Sequence, residues 1–214
     1  MIEIGVTQTS APDVANAPLV EALETHYAWF ATTLPQERIV TGIAIVAFAA
    51  LVVSVCTIRE RLGAGRASTA GALLVSLGSM VWIVGNVLQL GGHRAVGLMA
   101  THDNPIEIAA AIAFTVDMID DAFELVAFAT LGVGMLCFAV ATWRVSGASR
   151  AWSRYTAAFA GALVALGFAH GTDNGDAANL LLLAVGVLLT PAWLLWSDRV
   201  GPQVPPAARP SRTV

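Results

Sequence analysis

Asp117-Met118-Ile119-Asp120-Asp121-Ala122-Phe123-Glu124 puts four carboxylates into eight residues of a run that is otherwise almost wholly apolar from Ile106 to Trp143. At about 100° per residue on a helix, Asp117, Asp120, Asp121 and Glu124 fall within roughly a 100° arc. The same face continues through Phe128, Leu131 and Met135, so the acids sit above an apolar floor. Charge near a bilayer is costly, and intramembrane acids usually face a bundle interior or a wet cavity and mark function. The stretch therefore argues at once for a membrane helix and for a site on it.

Composition agrees with the membrane reading. The chain has 214 residues, 57% hydrophobic and 12% charged, against about 25% charged in soluble proteins. Several apolar runs of about 20 residues match the length of a bilayer crossing. All 11 basic residues are arginine; with abundant Ala, Val and Gly this suggests a high-GC bacterial genome. Lacking lysine, the chain cannot form a Schiff base and is not a retinal protein. Its few basic residues do not form a nucleic-acid surface. Cys56 and Cys137 lack metal-ligand spacing and read as small packing residues.

Outward from the acidic stretch, the pattern predicts an all-α integral membrane protein with five crossings, about 39–58, 69–90, 122–143, 152–168 and 177–196. The stretch Ile106–Trp143 is too long for one crossing, so 106–121 is expected to be a helical extension or a bent preceding helix. Residues 1–36 form an extracytoplasmic segment with no signal-peptide pattern. Within it, 17–34 is an amphipathic helix carrying Leu19, Leu23, Tyr27, Phe30 and Leu34, ended by Pro35. Thr190-Pro191 is expected to kink the fifth crossing, and the Pro-rich tail 201–214 to be disordered and cytoplasmic. Small residues Ala157, Gly161 and Ala165 suggest close helix packing.

Arginine placement orients the bundle. Arg59, Arg61, Arg66, Arg144, Arg150, Arg154, Arg199, Arg209 and Arg212 lie on one side, which the positive-inside rule makes cytoplasmic. Of the 15 acids, only Glu60 and Asp198 share that side. The prediction is a bacterial plasma-membrane protein with its N-terminus outside and its C-terminus in the cytoplasm.

At the outer level several helices bring polar groups together. Trp82, Asn86, Gln89 and His93 share roughly a 60° arc, His170 ends the fourth crossing, and Asp176 and Asn179 open the fifth. The expected result is an outward cup with a polar mouth and an apolar floor. Asp117, Asp120, Asp121, Glu124 and His170 are its candidate catalytic residues. Trp82, Asn86, Gln89, Phe128 and Asn179 are its candidate substrate contacts. Asp121, Glu124 and His170 are candidate ligands for a divalent metal ion. His93 and His102 read as exposed loop residues, and Gly171–Asp176 as a tight turn.

No P-loop, dinucleotide fingerprint, His-Glu-x-x-His or Gly-x-Ser-x-Gly is present. Asp120-Asp121-Ala122-Phe123-Glu124 has the Asp-Asp-x-x-Glu form with which soluble prenyl-chain enzymes hold Mg²⁺-diphosphate, but the rest of the chain does not resemble those enzymes. The reading that follows is a membrane enzyme performing acid–base or metal-assisted isomerisation, cyclisation or hydrolysis on a lipid-like or isoprenoid substrate. Two alternatives stand beside it. One is an accessory subunit or receptor whose acidic face binds a membrane partner protein; the other is a cation- or proton-coupled carrier, against which the apolar inner halves argue.

Overall fold

A computed structural model of the chain describes residues 19–63, 65–100, 106–144, 150–170 and 175–197. Every element among them is helical, and there is no strand. Helix α1 spans Leu19–Leu62, α2 Arg66–Ala100, α3 Ile106–Arg144 and α4 Arg150–His170; α5, Gly175–Leu183, passes through a π-helical segment, Ala184–Leu189, into α6, Thr190–Ser197. Four segments are long and apolar enough to cross a membrane: Thr41–Leu62, Arg66–Val96, Ala111–Arg144 and Leu180–Ser197. In hydrocarbon a backbone must satisfy its own polar groups, and continuous helices do so. The chain is thus built as a multi-pass helical membrane protein.

Two boundaries differ from the sequence reading. Pro35 does not end a helix, because α1 runs through it from Leu19 to Leu62. Proline removes one hydrogen bond, whereas ending the helix would leave several backbone groups unmet. Helix α3 is one element of 39 residues, about 58 Å at about 1.5 Å per residue, so 106–121 takes the first of its two expected forms, a helical extension. Helix α2 continues through Gly91-Gly92-His93 to Ala100, so His93 is helical. The fourth expected crossing, 152–168 in α4, is not among these four segments: Arg150, Ser153, Arg154, Tyr155 and Thr156 make its first turns polar. The tail 201–214, His102 and Gly171–Asn174 lie outside the described residues.

The chain divides into two compact units, 1–48 with 81–124, and 49–80 with 125–214. The second unit holds most of the large buried side chains, among them Val55, Val75, Phe128, Leu131, Met135, Phe138, Trp152, Phe159, Leu166 and Trp193. Its α1–α2 turn is made by Gly63 at φ +83°, the left-handed cap that glycine adopts without a Cβ clash. The Ser68 hydroxyl lies 2.6 Å from the Gly63 carbonyl and 3.0 Å from that of Gly65.

Glycines set how closely helices approach in this unit. A Cβ on Gly78 would lie 2.8 Å from the Ala127 carbonyl, and one on Gly71 3.0 Å from the Gly134 carbonyl. Between α3 and α4 the tight glycines are Gly132, facing the Ala160 carbonyl, and Gly167, facing that of Leu125. Gly161 has nothing within 4 Å of such a Cβ, and Ala165 is exposed. The packing face of α4 is therefore turned away from the small-residue stripe read from the sequence, because Trp152, Phe159, Leu163 and Leu166 bury more apolar area on the other side.

Side-chain hydrogen bonds tie the helices of this unit together. Ser153 donates to the Ala139 carbonyl at 2.7 Å, and the Trp193 indole N–H to Thr156 Oγ1 at 3.0 Å. Tyr155 donates to the Leu189 carbonyl at 2.8 Å. Before Pro191, the Thr190 N–H bonds five residues back to the Val185 carbonyl, the wider pitch of a π turn. The adjustment expected at Thr190-Pro191 thus takes the form of a π-helical segment.

Candidate functional site

The first unit contains the acidic stretch, and glycine again shapes the contact. On α2, Gly92 meets Val116, and Gly85 meets Phe123 and Asp120. A Cβ at Gly85 would lie 2.8 Å from Phe123 Cβ and 3.3 Å from Asp120 Oδ1. Both partners on α3 and both glycines on α2 are spaced by seven residues, two helical turns, so one seam brings the acidic face of α3 against α2.

Along that seam lies a carboxylate–histidine cluster. His93 Nε2 is 3.2 Å from Asp117 Oδ1, with side chains 2% and 30% exposed respectively. One turn on, Asp120 is only 7% exposed, and its Oδ1 has no hydrogen-bond partner among the described residues. The charges of Glu124, Asp121, Asp117 and His93 all act on Asp120. Asp121 and Glu124 are half-buried, each offering a carboxylate oxygen within 4.8 Å of the other. A buried carboxyl oxygen left unmet costs about 1–3 kcal/mol, so Asp120 is a place where a proton, a cation or a ligand's donor is stabilising.

The candidate contacts on α2 divide between structure and site. Trp82 is buried and stacks on Phe48 of α1, centroids 4.2 Å apart and planes 15° off parallel. Asn86 is also buried, but its side-chain nitrogen donates to the Trp82 carbonyl of its own helix at 3.0 Å. Its amide oxygen is the part left for a ligand. Gln89 is half-buried.

The remaining candidates belong to the second unit. Phe128 is buried there and stacks with His170, which ends α4, at a centroid distance of 6.1 Å. Asn179 lies in α5, and its side chain is outside the described set.

No family model, no curated protein and no solved structure matches this chain. The site must stand on its own geometry.

The sequence places His93 on one stripe with Trp82, Asn86 and Gln89 but reads it as an exposed loop residue, and it gives no sign of Phe48. His93 is instead 2% exposed inside α2. Phe48, partner of Trp82, carries no motif and becomes visible only through the packing of α1 on α2.

Proposed function

We propose that this chain is a membrane enzyme that carries out acid–base chemistry on a lipid-like substrate, with its centre on the facing turns of α2 and α3. The observation that carries the proposal is the pairing of buried His93 with half-buried Asp117 beside the buried carboxyl of Asp120. A carboxylate bonded to one imidazole nitrogen fixes tautomer and ring orientation and stabilises the imidazolium, which suits His93 to accept a proton. Asp120, Asp121 and Glu124 supply carboxyl groups to return it. Isomerisation, cyclisation and hydrolysis all reduce to such transfers, with the stacked Phe48–Trp82 pair as an apolar wall for the hydrocarbon. A metal-assisted form of this chemistry would use the two hard oxygens of Asp121 and Glu124, which suit a Mg²⁺-like ion that keeps part of its water shell.

In the same proposal the protein lies in a bacterial plasma membrane, crossing it five times with α4 as the fourth crossing. The N-terminus is outside and the C-terminus cytoplasmic, as arginine placement indicates. The bilayer then supplies the substrate laterally, and no nucleic acid or soluble partner is required.

The test compares the membrane lipids of cells producing the wild-type chain with those of cells producing His93→Gln or Asp120→Asn at matched levels. Mass spectrometry should show one lipid species depleted and a related one enriched only with the wild-type protein. Identical lipid profiles in all three would remove the enzyme reading and favour an accessory subunit.

A further inference from the structure

The arginine-rich end of the second unit has no part in the acid–base reading. Arg61 donates to the Ser197 carbonyl at 3.5 Å and Gly71 packs against Phe138, so the ends of α1, α3 and α6 and the start of α2 share one end of the unit. The bond from Ser153 to Ala139 adds the start of α4. Arg59, Arg61, Arg66, Arg144, Arg150 and Arg154 lie at this end, and Glu60 is the one described carboxylate among them. Arg59 and Arg61 are half-buried and donate to Thr69 and Ser197. Arg144, Arg150 and Arg154 are exposed, and no carboxylate among the described residues pairs with them.

Orienting a helix in a membrane needs positive charge in a loop and nothing more. Here the charge is also placed. The Arg150 guanidinium lies over the Trp143 ring, 5.9 Å from its centroid, within cation–π range. Its N–H groups make no hydrogen bond among the described residues, and their fork matches two oxygens of a phosphate. Trp143 in turn ends a stripe of exposed apolar side chains on α3, with Val133, Leu136 and Val140, at the spacing of one helix face. In a membrane that stripe faces acyl chains, and a tryptophan at its end sits where hydrocarbon meets headgroups. Apolar stripe, aromatic boundary and unpaired guanidinium follow in the order in which a phospholipid presents acyl chain, glycerol and phosphate.

We infer that this end of the second unit binds an anionic phospholipid, with its phosphate on Arg150, Arg144 beside it and an acyl chain along the α3 stripe. A zwitterionic lipid offers the same chain and phosphate but brings a cation that the arginines repel, so charge complementarity sets the preference. The inference is independent of the acid–base centre and of the side of the membrane that this end faces.

The experiment compares binding of phosphatidylglycerol and phosphatidylcholine with identical acyl chains to the purified full-length protein in one neutral detergent, by native mass spectrometry. Phosphatidylglycerol should bind at least about ten-fold more tightly. Arg150→Gln should lower that preference about five-fold, the effect of one arginine near an anionic surface. Trp143→Leu keeps every charge but removes the ring under the guanidinium, and should lower the preference about two- to five-fold. Arg94→Gln, which removes an exposed arginine of the first unit, should leave it unchanged. Where Arg150→Gln does not accumulate, Arg144→Gln should give a fall of the same sign. Equal affinities for the two lipids, an equal fall in Arg94→Gln, or an unchanged preference in Trp143→Leu would overturn the inference, since diffuse charge would then explain any binding. Displacement of the lipid by inorganic phosphate would also overturn it, because the site would then be one for the free anion.

Discussion

Asp120 and Gly85 form one device at the residue scale. Gly85 lets α3 approach closely enough that a carboxyl is buried against α2, and an added methyl would fall 2.8 Å from Phe123 Cβ. Gly85→Ala should therefore destabilise the protein by about 1–3 kcal/mol, the usual cost of overpacking. Gly161→Ala, with nothing within 4 Å, should gain about 0.5–1 kcal/mol by replacing a mid-helix glycine. Unfolding of the two variants in the same detergent gives the comparison, and equal midpoints would contradict this account of the seam. The His93–Asp117 pair makes a second prediction. A cycle of His93→Gln, Asp117→Asn and the double variant should show favourable coupling on the order of 1 kcal/mol, the scale of polar pairs between membrane helices. Additive effects would mean that the 3.2 Å approach contributes nothing.

At the scale of the helices, α6 is held to α4 by the Trp193 indole donating to Thr156. Thr156→Val keeps the volume but strands a buried N–H, so it should cost about 1–3 kcal/mol; Ser54→Ala, which removes an exposed bond to its own helix, should cost much less. The helices themselves were legible because apolar runs of bilayer length need no partner to be recognised. Their ends were less so, and for a physical reason. Glycine signals a helix stop when alone, yet Gly92 is a contact residue against Val116, and Pro35 is carried inside a 44-residue helix. Gly71, Gly78, Gly85 and Gly92 recur every seven residues, a pattern open to view in the sequence. Its meaning depends on which residues of α3 lie opposite, and only packing supplies them. The same holds for α4, whose small-residue stripe suggested a contact that its larger aromatic face makes instead.

For the whole molecule, the acids at 117–124 and the stripe ending in His93 are both open to view in the sequence, whereas the 3.2 Å approach of His93 to Asp117 depends on how α2 packs on α3. The proposed orientation makes its own prediction: a reporter that works only in the cytoplasm should be active when fused after Val214, and a protease-sensitive tag before Met1 should be cut from outside intact cells. The opposite pattern would place the acidic face on the wrong side for an outward-facing site. The most direct measurement of the central claim is isotope uptake from solvent. Purified protein in vesicles of native lipid extract would be incubated in water carrying heavy hydrogen and heavy oxygen, beside Asp120→Asn. Isomerisation or cyclisation through a protein acid leaves heavy hydrogen in the product, and hydrolysis leaves heavy oxygen. The account predicts label in one lipid class with the wild-type protein and its loss in the variant; no label with either, from protein that is folded and inserted, would contradict it.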